Sequence, residues 1–150
     1  MIEYRVGDAT CDPSVKGVKI IAHGCNDVVA WGRGFVLAIS RRWKEPERYF
    51  RSNRLDLGGL QLIQVESEVW VANLGIQHGV KSFTNKDPCI KYEALEEALS
   101  KLSVEALKLK ATVMMPRIGC GLAGGTWDKV GPIVEKTLEG IQVICYDYPS

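Results

Sequence analysis

A glycine-rich stretch in the last third of the chain restricts most strongly what this sequence can fold into. Residues 113–115 are apolar and predict the end of a buried strand, a helix is predicted from near Thr126, and four glycines lie within residues 119–125. Glycine adopts positive φ readily and lets backbone N–H groups approach an anion, and a helix start adds unpaired N–H groups. This order suits a phosphate-binding loop and, equally, a tight turn without a ligand.

A second stretch repeats the order near the N-terminus. Residues 18–26 predict a strand that carries His23 and ends at Asn26, and a Gly-Arg-Gly run at 32–34 precedes an apolar helical segment. Two such units favour two loops that close on one extended, doubly charged ligand, and a diphosphate has that character. Neither loop matches GxxxxGK[ST] or GxGxxG, which argues against a conventional nucleoside triphosphatase or dehydrogenase.

Length and charge indicate one globular unit without a polyanionic partner. At 150 residues we predict a single domain, 1–150, which can bury roughly 70% of its unfolded surface. The 19 basic and 18 acidic residues give a net charge of +1, so we expect no long nucleic acid and no membrane as partner. Residues 1–5 lack the apolar stretch of a signal peptide. We expect a cytoplasmic monomer whose partner is a small molecule.

Cysteine and histidine usage predicts no metal site and no cofactor. The sequence has five cysteines and two histidines and contains no C-x-x-C pair, so a zinc site is not expected. An odd number of dispersed cysteines is typical of reduced thiols in a cytoplasm.

The remaining pattern predicts alternating strands and helices, with one hairpin in the middle. The link at 66–68 is so short that it can join only antiparallel neighbours, so the sheet must be mixed. The fold class is therefore α/β, with a mixed central sheet of about six strands between helical layers. Strands are predicted at 2–6, 18–23, 60–65, 69–74, 112–115 and 141–146, and helices at 34–43, from 45 to near 56–58, after 88 to 109, and at 127–139.

Two helix boundaries are predicted from local signals. Asp87 and Pro88 form a favourable helix start after a polar loop at 80–88. Pro132 predicts a kink or a late start in the last helix.

Several polar groups follow the ends of predicted strands. Ligands of such sheets bind beyond the carboxyl ends of the strands, so these groups are predicted to share one cleft. They are Asp8, His23, Asn26, Gln77, His78 and the loop at 118–125.

The motifs resemble those of the macro domain, an ADP-ribose-binding module. They are GDAT at 7–10, HGCN at 23–26 with WGRG at 31–34, and PRIGCGL at 116–122. The resemblance covers nearly the whole chain and is greatest to the branch of the yeast ADP-ribose-1″-phosphate phosphatase and the terminal ADP-ribose protein glycohydrolases. It implies a macro-like three-layer α/β/α fold and ADP-ribose or a derivative as the ligand.

The resemblance also implies residue roles. Asp8 would read the adenine amine with the Ala9 backbone beside it, and either Tyr146 or Tyr148 would cover the adenine. His23 and Asn26 become the catalytic candidates, because His23 matches a candidate group of the phosphatase branch and Asn26 would lie near the distal ribose. The diphosphate loops would consist of Trp31, Gly32, Arg33, Gly34 and Phe35, and of Ile118, Gly119, Cys120, Gly121, Leu122, Ala123 and Gly124.

Three positions depart from the family pattern. Arg33 interrupts what is usually a run of three glycines in the first loop. In the glycohydrolase branch a lysine stands at the position of Gln77 and an aspartate at that of Ala123. The lysine–aspartate chemistry of that branch is therefore missing from this sequence.

The sequence leaves the function open between an enzyme and a binding module. A phosphatase-type hydrolase of ADP-ribose-1″-phosphate would use His23 as an acid or base, with His78 as a second titrating group. A non-catalytic reader of ADP-ribose would need His23 only as a structural residue. A hydrolase that removes ADP-ribose from proteins or nucleic acid is a further alternative. We take the phosphatase-type hydrolase as the primary hypothesis.

Overall fold

The structure, a computed structural model, describes residues 1–80 and 89–149 and contains six strands and four helices in that part of the chain. The strands are β1 Ile2–Val6, β2 Lys19–Asn26, β3 Leu60–Glu66, β4 Val69–Gln77, β5 Thr112–Met115 and β6 Val143–Asp147. The helices are α1 Val36–Arg42, α2 Glu45–Ser52, α3 Tyr92–Leu109 and α4 Trp127–Thr137.

All six strands form one mixed sheet in the order β1-β6-β5-β2-β4-β3. Neighbours from β1 to β4 in this order are parallel, and β3 pairs with β4 in antiparallel fashion. The short β3–β4 link permits no other pairing, and the predicted mixed sheet of about six strands is confirmed. The carboxyl ends of the five parallel strands meet at one edge of the sheet.

Helices cover both faces of the sheet, which confirms the three-layer α/β/α fold. Successive side chains of a strand point to opposite faces. In β2, Ile20 and Ala22 join the core beneath α3 and α4, whereas Ile21 and Cys25 join the core beneath α1 and α2. The sheet is therefore buried on both sides, as its nearly continuous apolar strands predict.

The helix predicted to start at Asp87–Pro88 begins instead at Tyr92. Asp87, Pro88 and the rest of the predicted loop at 81–88 lie outside the described residues. Residues 89–91 are extended, because the N–H groups of Cys89 and Ile90 donate to the Ala123 carbonyl and that of Lys91 donates to the Ile76 carbonyl. Backbone pairing thus overrides the local helix-start signal.

Two other helices also differ from the predictions. The last helix begins at Trp127 and continues through Pro132, so the predicted late start is wrong. Helix α2 ends at Ser52 rather than near 56–58, because Asn53 takes an extended conformation and Leu55 is drawn into the core. None of the helices within residues 1–80 and 89–149 combines the length and apolar character that a membrane span requires.

Candidate functional site

A cleft of about 690 Å³ opens at the edge where the parallel strands end. The carboxyl ends of β2 and β4 contribute to its lining, together with residues 32–38 on one side and 116–123 on the other. The structure thus brings both predicted loops to one cavity. The predicted site residues that line it are His23, Asn26, Gly32, Arg33, Gly34, Phe35, Ile118, Gly119, Gly121, Leu122 and Ala123.

The two glycine loops face each other closely. Gly34 has φ +81°, and a Cβ at this position would lie 3.7 Å from the Leu122 side chain of the second loop. Within the described part of the chain, the backbone N–H groups of residues 32–34 and 121–122 donate to no protein acceptor. Both loops therefore present free donors at the cleft, as an anion site requires.

Different glycines shape the second loop and leave it open. Gly119 has φ +73°, and a Cβ there would overlap the Ile90 side chain. The Gly125 N–H closes the loop by donating to the Gly119 carbonyl at 2.7 Å. Gly121, by contrast, has no atom within 4 Å of its ideal Cβ position. The space beside Gly121 is available to a ligand.

Three arginines and no carboxylate are found among the described residues that line the cleft. They are Arg33, Arg41 and Arg117, and they come from the first loop, α1 and the second loop. Arg41 was not among the site residues predicted from the sequence. Ala38 also lines the cleft, and Arg41 follows it three residues later on the same face of α1, so helical spacing within α1 is the signal that finds Arg41.

Arg117 is held rigidly at the base of the second loop. Its Nε and Nη2 donate to the two carboxylate oxygens of Asp147 at 2.7 and 3.1 Å. Its guanidinium also lies 5.3 Å from the ring centroids of both Tyr4 and Trp127. These contacts couple the loop to β1, β6 and the start of α4, and they fix the Arg117 guanidinium beside the cleft with its charge paired to Asp147.

His23 is almost fully buried at the inner side of the cleft. Its Nε2 lies 2.6 Å from Oδ1 of Asn73, and its ring packs edge-on against Trp31 at a centroid distance of 5.3 Å. Burial lowers the pKa of His23 from 6.5 to about 4, although the Asn73 hydrogen bond acts in the opposite direction. The His23 imidazole is therefore neutral at neutral pH and carries a single ring proton.

Asn26 lines the cleft with a side chain that already has protein partners. Its Oδ1 accepts from the N–H groups of Val28 and Ala30, each at 3.0 Å, and its Nδ2 donates to the Ala30 carbonyl at 2.7 Å. These bonds hold the first loop and position Val29 at a positive φ of 57°. A direct role of Asn26 at the distal ribose stays a prediction.

The remaining members of the predicted loops support the cleft from behind. Trp31 is buried, packs on Phe50 and donates its indole N–H to Ser40 Oγ at 2.7 Å. Cys120 is partly buried, and burial raises the pKa of its thiol, so the loop does not activate it. The predicted site residues outside the lining are Asp8, Ala9, Trp31, Cys120 and Gly124.

The structure distinguishes the two tyrosines proposed for the adenine. Tyr146 is buried, and its hydroxyl donates to Oδ2 of Asp12 at 2.8 Å, so it is part of the core. Tyr148 is half exposed and lines the cleft. Burial and the charge of nearby Asp8 raise the pKa of Tyr148. The Asp8 carboxylate that is predicted to read the adenine is therefore a neighbour of the Tyr148 ring.

Asp8 keeps one carboxylate oxygen available for a ligand. Its Oδ1 accepts from the backbone N–H and the hydroxyl of Thr10 at 2.8 and 2.7 Å, while Oδ2 lies 3.8 Å from Arg42, and the Tyr148 side chain also interacts with this carboxylate. Burial opposes ionisation of Asp8, but the Thr10 hydrogen bonds and Arg42 outweigh it, so its pKa lies below the ordinary value. Asp8 is an ionised acceptor at neutral pH.

His78 lies outside the cleft lining, in a pair with Asp27. Its Nδ1 is 2.7 Å from Oδ2 of Asp27, whose Oδ1 accepts the Gly79 N–H at 2.8 Å. Within residues 1–80 and 89–149 no group of three or more His, Cys, Asp or Glu side chains is placed to hold a metal ion.

A second cavity of about 660 Å³ lies between residues 26–29 and residues 50–57. Its charged lining is balanced, with Arg51 and Arg54 against Asp27 and Asp56, and it lacks both glycine loops. The cleft between the loops is therefore the better site for an anionic ligand.

Together, the sheet order, the paired loops and the basic cleft define a three-layer α/β/α protein with a site for an extended anion. No family model matches the chain. It is, however, 48% identical to a solved macrodomain protein from Streptomyces coelicolor, with a TM-score of 0.86 over 99% of this chain and 100% of that one. The chain belongs to the macrodomain family.

Two curated proteins are also similar to this chain. The ADP-ribose 1″-phosphate phosphatase of Lodderomyces elongisporus is 26% identical over 90% of this chain and 91% of its own length. The chromodomain-helicase-DNA-binding protein 1-like of Mus musculus is 31% identical over 99% of this chain. The chain spans only 18% of the length of the mouse protein.

Proposed function

We propose that this chain binds ADP-ribose in the cleft between its glycine loops and hydrolyses the phosphate monoester of ADP-ribose-1″-phosphate. The proposal rests on one observation: two sets of free backbone N–H donors and three arginines lie at the same cleft, and no carboxylate is found among the described residues that line it. A diphosphate satisfies both loops at once. The similarity to a phosphatase named for this substrate supports the reaction.

The groups around the cleft give the ligand a direction. Tyr148 offers an aromatic face for the adenine, and Oδ2 of Asp8 can accept a hydrogen bond from its amine. The diphosphate then lies between Gly34 and Gly121. This arrangement directs the distal ribose toward the ends of β2 and β4, where His23 is.

The proposed reaction needs charge stabilisation and a proton acceptor. A water oxygen forms a bond to phosphorus, the bond from phosphorus to the 1″ oxygen breaks, and that oxygen takes a proton to become the ribose hydroxyl. Arg33, and any loop N–H groups that the diphosphate leaves unbound, can stabilise the charge on the transferring phosphoryl group. Because the His23 imidazole is neutral at neutral pH, it can accept a proton but has no imidazolium proton to donate. We therefore assign it the role of general base.

Calorimetry with ADP-ribose, ADP and ATP tests the binding part of the proposal. ADP-ribose should bind more tightly than ADP, because ADP lacks the distal ribose. Equal affinity for ATP and ADP-ribose would refute the proposed ligand.

Phosphate release from ADP-ribose-1″-phosphate tests the reaction. The wild-type protein should release inorganic phosphate, and His23→Gln should still bind ADP-ribose but react about 10²–10⁴-fold more slowly. Binding without any phosphate release by the wild type would instead establish a non-catalytic reader.

A further inference from the structure

A buried chain of hydrogen bonds runs from His23 across the sheet. Nε2 of His23 lies 2.6 Å from Oδ1 of Asn73, and Nδ2 of Asn73 donates to the Pro46 carbonyl at 3.2 Å and to Oε1 of Gln61 at 3.1 Å. Nε2 of Gln61 in turn donates to the Asn53 carbonyl at 3.1 Å. All three side chains are buried. The chain connects β2, β4 and β3 to the two ends of α2.

Two backbone carbonyls fix the direction of this chain. A carbonyl oxygen can only accept, so the amide nitrogen of Asn73 must face Pro46 and that of Gln61 must face Asn53. Rotating either amide by 180° would set two oxygens against each other. Oδ1 of Asn73 therefore faces His23, and it can be satisfied only if His23 carries its proton on Nε2. The network thus leaves Nδ1 of His23 with a lone pair.

Nδ1 has no hydrogen-bond partner among the described residues, although it is buried. The neighbouring rings of Trp31 and Phe35 offer none, since the indole N–H of Trp31 is used by Ser40. Cys25 Sγ lies 3.9 Å from Nε2, on the other nitrogen. Buried polar atoms without a partner are rare in folded proteins, and His23 lines the cleft. Nδ1 is itself shielded from solvent, so a donor from the cleft reaches it only if the Trp31 or Phe35 ring shifts. Such a donor would complete the hydrogen bonding of His23.

We infer that Nδ1 of His23 accepts a hydrogen bond from an O–H group in the cleft, and that Asn73 is a positioning residue that holds His23 in the required tautomer. The inference deepens the proposed function and rests on it for the identity of the donor, which is a hydroxyl of the distal ribose or the attacking water. A phosphate oxygen is a poor partner, because a lone pair would face a negative charge. In the reaction, Nδ1 takes the proton of the water while Nε2–H stays bonded to Asn73.

Long-range ¹H–¹⁵N spectra of the imidazoles test the tautomer without any ligand. The protein has two histidines, so His78 serves as the internal reference. At neutral pH the His23 signals should show a proton on Nε2 and the strong downfield shift of an unprotonated Nδ1. A proton on Nδ1, or on both nitrogens, would overturn the inference. This result is independent of whether ADP-ribose binds.

Asn73→Leu tests the positioning role. It should allow His23 to populate both tautomers, whereas Tyr146→Phe, which removes a buried hydrogen bond elsewhere, should leave the His23 spectrum unchanged. A purely Nε2-protonated His23 in Asn73→Leu would exclude that role. Should the leucine variant not fold, the shorter Asn73→Ser, which also cannot reach Nε2, replaces it in the same spectrum.

Titration with ADP-ribose and ADP separates the two donors. An upfield shift of Nδ1 with ADP-ribose but not with ADP identifies a hydroxyl of the distal ribose. An unmoved Nδ1, with at least tenfold slower phosphate release and an unchanged KM in Asn73→Leu, identifies the water. An unmoved Nδ1 together with unchanged release would overturn the inference. Absence of ADP-ribose binding in calorimetry would refute the proposed function and leave the tautomer result standing.

Discussion

Asp8 divides its carboxylate between the fold and the proposed ligand. Oδ1 caps the turn at Thr10, and Oδ2 is the acceptor available for the adenine amine. Asp8→Asn keeps an oxygen for Thr10 and places an NH₂ group where the ligand needs an acceptor. We expect ADP-ribose affinity to fall by about 1.5–3 kcal/mol, the usual effect of losing a charge-assisted hydrogen bond. Calorimetry measures it, and unchanged affinity would place the adenine elsewhere.

Tyr146 and Tyr148 should respond to substitution in opposite ways. Tyr148→Ala removes the exposed ring and should weaken ADP-ribose binding by about 1–3 kcal/mol, the range for base stacking on an aromatic side chain. Tyr146→Phe removes the hydroxyl that donates to Asp12 and should lower the free energy of unfolding by about 1.5–3 kcal/mol without affecting binding. Loss of binding in Tyr146→Phe alone would reverse the assignment.

His23 makes the stability of the fold depend on pH. Burial lowers its pKa from 6.5 to about 4, so between these values the unfolded chain binds more protons than the folded one. The free energy of unfolding should therefore fall as the pH falls through this range, by up to about 3 kcal/mol at about 1.4 kcal/mol per unit. Cys25, the titratable side chain beside the ring, stays neutral because burial raises its pKa.

Urea unfolding of the wild type and of His23→Gln isolates this effect, since glutamine does not titrate. As the pH is lowered, the free energy of unfolding of the wild type should fall relative to that of His23→Gln. A difference that stays constant between neutral pH and about pH 4 would contradict the buried neutral state of His23.

The second loop offers a matched pair of glycine substitutions. Gly121→Val places its side chain in open space of the cleft and should abolish measurable ADP-ribose binding with little change in thermal stability. Gly119→Val forces a valine to φ +73° against Ile90 and should destabilise the fold by more than about 1 kcal/mol. Thermal unfolding and calorimetry on both variants separate binding from folding. Normal binding by Gly121→Val would reduce the second loop to a structural turn.

Gly34→Val is a less informative test of the first loop. Gly34 has φ +81°, so a valine is strained there whatever the ligand does. Gly32 has open space at its Cβ position and is the better site for a substitution in that loop.

At the level of whole elements, sequence periodicity was sufficient for the sheet and its helical layers. It failed where a distant backbone decided the outcome, as at the start of α3, where Ala123 holds residues 89–90 extended. Both glycine loops were predictable because each is continuous in sequence. The partner of His23 was not, because Asn73 lies 50 residues away on another strand. Tyr146 and Tyr148 are only two residues apart in the sequence, and their difference in burial and the Tyr146–Asp12 contact became visible only in the structure.

The distribution of charge over the whole molecule explains why its net charge gave so little indication of the site. The chain carries +1 overall, yet Arg33, Arg41 and Arg117 converge from three elements on a cleft without a lining carboxylate among the described residues. Composition cannot show such convergence, because it depends on topology. Exposed charges act over a Debye length of about 10 Å at 0.1 M salt, so this cluster attracts a small anion without making the whole surface basic.

The lining of the cleft, as far as the described residues form it, argues against one route of ADP-ribose removal. Release from a glutamate through a lysine needs an amine that forms a Schiff base with the distal ribose, and a carboxylate to move protons. No lysine or carboxylate lines the cleft within the described residues. Gln77 has an amide whose lone pair is delocalised, and its Nε2 donates to the Gly79 carbonyl at 3.0 Å. Ala123 has nothing to titrate.

We therefore expect no lysine-linked ADP-ribose adduct on this protein, and at most slow release of ADP-ribose from modified glutamates. Lys81 and Lys86 lie outside the described residues, so the test must cover every lysine of the chain. The protein is incubated with auto-modified substrate and reduced with borohydride, and the mass of the intact protein then reports an adduct on any of its lysines. Gln77→Lys with Ala123→Asp supplies the missing pair and is the matched control. A stable adduct confined to Lys81 or Lys86 of the wild type would contradict the prediction and favour the glycohydrolase alternative, because adventitious reaction with free ADP-ribose would modify exposed lysines throughout the chain.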